Sequence, residues 1–363
     1  MRPLTLDRAR WASISSGMSD NLKLSVLDLA PVPEGTSAAD ALRATAAFAE
    51  AADRFGYHRL WYAEHHGIPN IASASPEVLI GHAAERTRRI RVGSGGVMLP
   101  NHVPLRVVET YRTLEALYPG RIDLGIGRAG GSDSRTLSAL KAVDGGQFAQ
   151  QMAELIAFET GGFPDGHPYQ AIEVVPGEVS LPPIWLLGSS GASAEFSGLN
   201  GFGYAFAGHF SPAPAAPAFQ AYRHAFKPSD DFPGPKTLLC LAAICAPSEE
   251  EAAYLAGSME LAWLRLRQGG LRKLASPQEA ADYAFTPQDH ATVEAYRRIA
   301  ITGTPDKVRR EIEARAVACD ADEVMVTTNV WDPEARVRSL DLLARAFDLP
   351  RPSRAAVETQ LAW

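Results

Sequence analysis

Apolar runs alternate with helix-like patterns along almost the whole chain. Short runs rich in Leu, Val, Ile, Ala and Gly occur at Leu22–Ala30, Arg59–Ala63, Ile90–Leu99, Arg121–Gly127, Ile184–Leu187, Gly203–Ala207, Leu238–Ile244 and Glu323–Thr327. Between them, apolar residues return every three or four positions at Asp40–Phe55, Ser75–Glu85, Pro104–Leu117, Gln147–Phe158, Ala218–Phe226, Glu249–Leu266, Thr304–Cys319 and Pro333–Phe347, with a further helix start near Ala192. In the first helix Leu42, Ala46, Ala49 and Ala52 share a face, and Gly56 stands where a left-handed C-terminal residue is favoured. Ser75-Pro76 and Thr304-Pro305 pair an N-cap with a proline at the first helical position.

Eight strands alternating with helices predict a parallel α/β architecture, read as a single (β/α)8 TIM barrel over residues 22–350. A Gly- and Pro-rich excursion spans Gly161–Pro183. Residues 268–300 read as an insertion before the eighth strand, with its own helix. Residues 1–21 read as a loose extension and 351–363 as a tail; Met18 is a possible second start. Arg2, Arg8 and Arg10 are followed by no apolar core of a secretory signal.

Composition narrows the function classes. Among 363 residues, 46% are hydrophobic and 21% charged, ordinary values for a globular protein with a large core. The net charge is 35 − 42 = −7 without a basic block, so nucleic acid is not an expected partner. No apolar run reaches the roughly 18 residues of a membrane span. Cys240, Cys245 and Cys319 are odd in number and sit in or near apolar runs, which fits buried reduced thiols and a cytoplasmic protein. The Cys240/Cys245 spacing is no zinc pair without further ligands nearby, and no metal is expected.

Candidate chemistry gathers at strand ends, where parallel α/β folds place their ligands. In LWYAEHHGIPN (Leu60–Asn70) an apolar run ends in Glu64, His65 and His66. Adjacent residues on extended backbone point opposite ways, so at most one of the two histidines faces a given ligand. The third strand carries Gly93, Gly95 and Gly96, which suggests a bulge, a strained peptide or a flat ligand lying close; tight barrel packing is the alternative. Gly125-x-Gly127-x-x-Gly130 matches a dinucleotide fingerprint only formally, because it follows three earlier strands and runs on into loop. Arg128 is better read as a phosphate ligand, planar and bidentate. Gly188-Ser189-Ser190-Gly191 precedes a helix whose free amides, with the Ser190 and Ser193 hydroxyls, suit an anion shared with Arg128; simple capping by Ser190 is the alternative. Asn101-His102 either lines the mouth or caps the next helix, and His209 with Phe210 borders a possible cavity. His58, His82, His224 and His290 read as surface or packing residues.

Taken in order, LSVLDLAPVPEG, WYAEHHG, VGSGGVMLPNHVPLRVVE, LYPGRIDLGIGRAGGSD, PIWLLGSS, TGTPDKVR and DADEVMV resemble the bacterial luciferase-like flavin-dependent monooxygenases, over nearly all of Leu22–Phe347. The resemblance implies a (β/α)8 barrel that takes FMN as FMNH2 and uses O2, through a C4a-peroxyflavin, to oxygenate a small organic substrate. A separate NAD(P)H-dependent flavin reductase would be a transient partner, and a homodimer is implied, through helices on the side of the second and third strands. By the same resemblance His65 sits beside the flavin as the catalytic residue, with Glu64 supporting it or pairing only structurally. A non-proline cis peptide falls on Gly95-Gly96. The phosphate falls to Arg128, to the Ser189-Ser190-Gly191 backbone and to Ser193. Gly127 stands where luciferase has a reactive cysteine, and Ala129, Gly130 and Gly131 replace large residues, so the substrate cavity should differ. The alternatives are an F420-dependent oxidoreductase of the same barrel type and a flavin-binding protein without turnover.

Overall fold

The computed structural model describes residues 22–351, so the N-terminal extension and nearly all of the C-terminal tail lie outside the described residues. The strands are β1 (Lys23–Asp28), β2 (Arg59–Tyr62), β3 (Arg91–Ser94), β4 (Val97–Met98), β5 (Ile122–Gly127), β6 (Ile184–Gly188), β7 (Gly203–Ala207), β8 (Thr237–Cys245), β9 (Ile301–Gly303) and β10 (Glu323–Thr327). All ladders between them are parallel. β1 pairs with β10 and β10 with β8, so the sheet closes into a barrel of eight staves, β3 and β4 sharing one of them.

Alternation along the strands separates two cores. Val26, Leu60, Val92 and Leu124 point outward and pack under the helices. Leu27, Trp61, Trp185, Cys240 and Met325 point inward and fill the barrel. Its lower end is plugged by charge: Arg59 bonds Asp123 through Nη1 and Glu323 through Nε, both at 2.7 Å, and Arg91 bonds Asp123 at 2.6 Å. Every buried charge in that layer has an opposite partner, as burial demands.

The helices used below are α1 (Ala38–Phe55), α2 (Pro76–Arg86), α3 (Pro104–Leu117), α4 (Ser134–Ala139), α5 (Phe148–Thr160), α6 (Gly191–Leu199), α7 (Ala215–Ala225) and α8 (Glu249–Arg267). α9 (Pro277–Ala281), α10 (Pro287–Arg297), α11 (Pro305–Cys319) and α12 (Pro333–Ala346) complete the set. α1 closes on Gly56 at φ 90°, where the left-handed turn suits glycine.

Three sequence expectations need correction. The third strand is not continuous: it breaks at Gly95-Gly96, whose peptide is cis, and resumes as β4. The insertion holds two helices, α9 and α10, rather than one, and ends in β9, which lengthens the sheet beside β8. Leu42 is exposed, because the buried stripe of α1 runs through Ala41, Thr45, Phe48, Ala52 and Phe55. Short α4 is a further element, N-capped by Asp133 six residues past Gly127, so no helix starts on the glycine fingerprint, whose Gly125 and Gly127 lie in β5.

Candidate active site

The end of β2 brings three polar side chains to the C-terminal mouth. Glu64 is fully buried and serves as a hub. Its Oε1 accepts from His66 Nε2 at 2.9 Å, from Asn101 Nδ2 at 3.1 Å and from His102 Nε2 at 2.9 Å. Its Oε2 accepts from the backbone N–H of Met98 at 2.8 Å. Burial alone would raise its pKa, but these donors outweigh it and hold the carboxyl below its ordinary value. His102 is the reciprocal case: burial pulls it down, while the bond to Glu64 and its charge lift it above the usual value.

His65 faces the other way from His66. Its Nδ1 lies 3.0 Å from the carbonyl oxygen of Gly131. A carbonyl only accepts, so Nδ1 carries the proton and Nε2 keeps its lone pair. Burial lowers the pKa of His65, against the pull of the Gly131 carbonyl and of Glu64, so the ring is neutral near pH 7. Gly131 has φ 65°, and a Cβ there would come within 2.9 Å of the Glu64 carbonyl oxygen.

Above the mouth lies a cavity of about 1090 Å³. At the barrel end its wall includes His65, Asn70, His209, Thr327 and Asn329. The outer wall comes from α8 and α10, with Ala256, Met259, Trp263 and Tyr296. Asn70 Oδ1, His209 Nδ1, Thr327 Oγ1 and Asn329 Oδ1 are buried without a protein partner, a concentration of unmet polar atoms that suits a ligand. Burial, and secondly the nearby His65, pushes the pKa of His209 down to about 4.

His209 and Phe210 both line the cavity, as the sequence suggests, whereas the candidates that follow lie outside its wall. Arg128 is exposed just past β5, and Ser189, Ser190 and Gly191 are exposed just past β6. The two loops are neighbours, because Gly127 pairs with Leu187. Ser190 occupies the N-cap position of α6, yet its side chain caps no amide, so the first turn of α6 keeps free N–H groups. Ser193 Oγ donates to the Ser190 carbonyl at 2.8 Å and lies 3.1 Å from Tyr204 Oη. Gly95 and Gly96 have packing reasons of their own: a Cβ would meet Leu27 Cδ1 at 2.6 Å or the Gly125 carbonyl oxygen at 2.7 Å. Asn101 and His102 belong to the Glu64 hub and are not in this cavity's wall, and Val103 rather than either of them holds the N-cap position of α3.

The model of the luciferase-like monooxygenase family matches residues 22–321. The chain belongs to this family. A luciferase-like monooxygenase of Escherichia coli (strain K12) is 41% identical over 324 residues, 88% of this chain and 96% of that protein. The crystal structure of apo-MsnO8 superposes with a TM-score of 0.81 at 36% identity, covering 92% of this chain and 100% of that one. More distantly, the oxygenase component of the flavin-dependent trigonelline monooxygenase of Acinetobacter baylyi is 26% identical over 282 residues, 72% of this chain and 77% of that protein.

Some residues lining the cavity carry a weak signal in the sequence or none. Thr327 and Asn329 sit at the C-terminal end of the last strand, where the rule about strand ends points. Trp263 and Tyr296 lie on helices with ordinary amphipathic patterns and carry no such signal. Among the described residues no group of three or more His, Cys, Asp or Glu is arranged to hold a metal ion, and no helix is long and apolar enough to cross a membrane.

Proposed function

We propose that the chain is the oxygenase component of a two-component flavin monooxygenase, which takes FMNH2 from a separate NAD(P)H-dependent reductase and uses O2 to oxygenate a small organic molecule. The single observation that carries this reading is the open Nε2 of a neutral His65 in the wall of a cavity at the barrel mouth. The family, and the similarity to a flavin-dependent oxygenase component, support the cofactor class. The unmet polar atom of Asn70 in the same wall fits a ring rich in hydrogen-bonding atoms.

Arg128 and the free amides at the start of α6 would hold the phosphate, combining a bidentate cation with the positive end of a helix. When bound, reduced flavin supplies the electrons and the activation of oxygen. The protein supplies position, dryness and one proton site. The apolar cavity wall limits water. His65 Nε2 accepts a hydrogen bond or a proton from the reacting group, with its tautomer set by Gly131. Glu64 touches no cavity atom and acts as a positioning residue, tying the His65–His66 turn to β4 and to Asn101-His102.

A homodimer through α2 and α3 belongs to the same reading, since Val78, Val103 and Leu117 are each more than 60% exposed there. Cys240, Cys245 and Cys319 are buried free thiols, which suits a cytoplasmic setting.

Anaerobic titration with FMNH2 tests the assignment. Wild type should bind, and Arg128→Ala should bind at least about tenfold more weakly at unchanged stability, as for loss of a charged hydrogen bond at an exposed site. Binding of F420 without binding of FMNH2 would overturn it.

A further inference from the structure

The cavity is chemically two-ended. Its barrel end carries the unmet polar atoms of His209, Thr327 and Asn329. Its outer end is walled by Ala256, Met259, Ala262, Trp263, Tyr296 and Ala300, and none of these carries an unmet buried polar atom. Trp263 and Tyr296 lie with ring centroids 5.2 Å apart at 30°, a broad aromatic wall. At about 1090 Å³ the space exceeds what one drug-sized ligand needs, so a cofactor ring leaves room for a second molecule.

Two of the three cations in its lining are already paired with carboxylates. Arg297 meets Glu260 through Nε and Nη2, both at 2.7 Å. Lys307 meets Glu249 at 2.8 Å. The Arg267 guanidinium lies over Trp263, 4.7 Å from the ring centroid, on an exposed rim. The lining holds three carboxylates, Glu249, Glu260 and Glu311, and three cations, Arg267, Arg297 and Lys307; none of the cations is buried, so an anion lodged in the apolar outer end would meet no buried, unpaired cation. Burying a charge on those terms is costly, whereas burying a neutral ring is favourable.

We propose that the α8–α10 end of the cavity is the substrate subsite and that it takes an uncharged molecule with a broad apolar, ring-bearing body, its polar edge turned toward His209, Thr327 and Asn329. This rests on the oxygenase reading for the word substrate, but the binding itself requires no flavin. Small anionic substrates are disfavoured at this subsite.

Calorimetric titration of the flavin-free protein with 2-naphthol and with 2-naphthoate, at pH 7, provides the test. The two probes share a ring and differ in charge. Naphthol should bind at least about tenfold more tightly than naphthoate. Ala262→Trp and Ala300→Phe, which add bulk at two lining positions of the outer end, should each weaken naphthol binding by about tenfold or more while melting cooperatively. Arg128→Ala should leave naphthol binding unchanged. Equal affinity for the two probes, tighter binding of naphthoate, or naphthol binding that survives both narrowing variants would overturn the proposal. Naphthol binding in a protein that fails to take up FMNH2 would overturn the flavin reading and leave this one standing.

Discussion

The imidazole of His65 donates from Nδ1 to the carbonyl oxygen of Gly131 at 3.0 Å, so a turn after β5 fixes the tautomer of a side chain delivered by β2. Gly131 can present that carbonyl because it accepts φ 65° and because no Cβ crowds the Glu64 carbonyl. Gly131→Ala should therefore lose about 1–2 kcal/mol of stability, the usual cost of a left-handed residue with a side chain. Nitrogen NMR of the His65 ring should change from one fixed tautomer to a mixture. An unaltered tautomer signal would contradict the role given to Gly131.

The Glu64 hub carries a separate expectation. Glu64→Gln removes the charge that faces His66 and His102 and puts an amide N–H₂ among existing donors. Breaking a buried pair in this way should cost about 3 kcal/mol. The His102 titration midpoint should fall, because Glu64 is what holds it up. Thermal melts and proton NMR titration measure both effects, and a raised or unchanged midpoint would contradict the assignment.

Acid stability should be set first by histidines. His58 and His209 are each held down to about 4, chiefly by burial, against an ordinary value of 6.5. Between those pH values the unfolded chain binds protons that the folded chain refuses, so stability falls as pH drops from 6.5 toward 4. Glu64 works with the same sign but lower, its stabilisation being lost as pH falls below its ordinary value of 4.5 and through its depressed folded value. Urea titrations across pH should show the first decline starting near 6.5, and His58→Gln and His209→Gln should each flatten it. A profile flat down to 4.5 would contradict it.

Gly188 is the steric key to the shelf beside Arg128. A Cβ there would lie 2.1 Å from Ser193 Oγ. Gly188→Ala should dislodge that hydroxyl from Ser190 and Tyr204 and reduce FMNH2 affinity about tenfold, the scale of one charged hydrogen bond. Ser193→Ala, which removes the same hydroxyl, should lose a comparable amount, and both variants should keep residual binding because the free amides of α6 remain. Equal affinity for FMNH2 in wild type and Gly188→Ala would remove Ser193 from the phosphate site.

Much of the barrel was legible because strand and helix periods differ and cap signals are local. Gly56 ends α1 and Pro305 opens α11 within a turn of themselves. The opposite headings of His65 and His66 likewise follow from backbone geometry. What was hidden is long-range. Asn101 and His102 become ligands of Glu64 only because β4 runs beside the β2 turn, which no local pattern encodes. A break at Gly95-Gly96 was legible from the glycines and, as a cis bond, from the resemblance; only its neighbours, Leu27 and Gly125, brought there by barrel closure, were hidden. Trp263 and Tyr296 meet over the mouth only once the insertion folds back on α8. On the first helix Ala46, Ala49 and Ala52 are buried as their shared face predicts; Leu42 alone is exposed, because Phe48 and Phe55 centre the buried side of this alanine-rich helix.

The most direct measurement is rapid mixing of FMNH2-loaded protein with oxygenated buffer, following the return of oxidised-FMN absorbance in wild type and in His65→Ala. Wild type should delay that return relative to free FMNH2, and His65→Ala should shorten the delay at least about tenfold, below the usual range for one acid–base group. A return in wild type as fast as that of free FMNH2, or a delay untouched by His65→Ala, would contradict an oxygenase centred on His65.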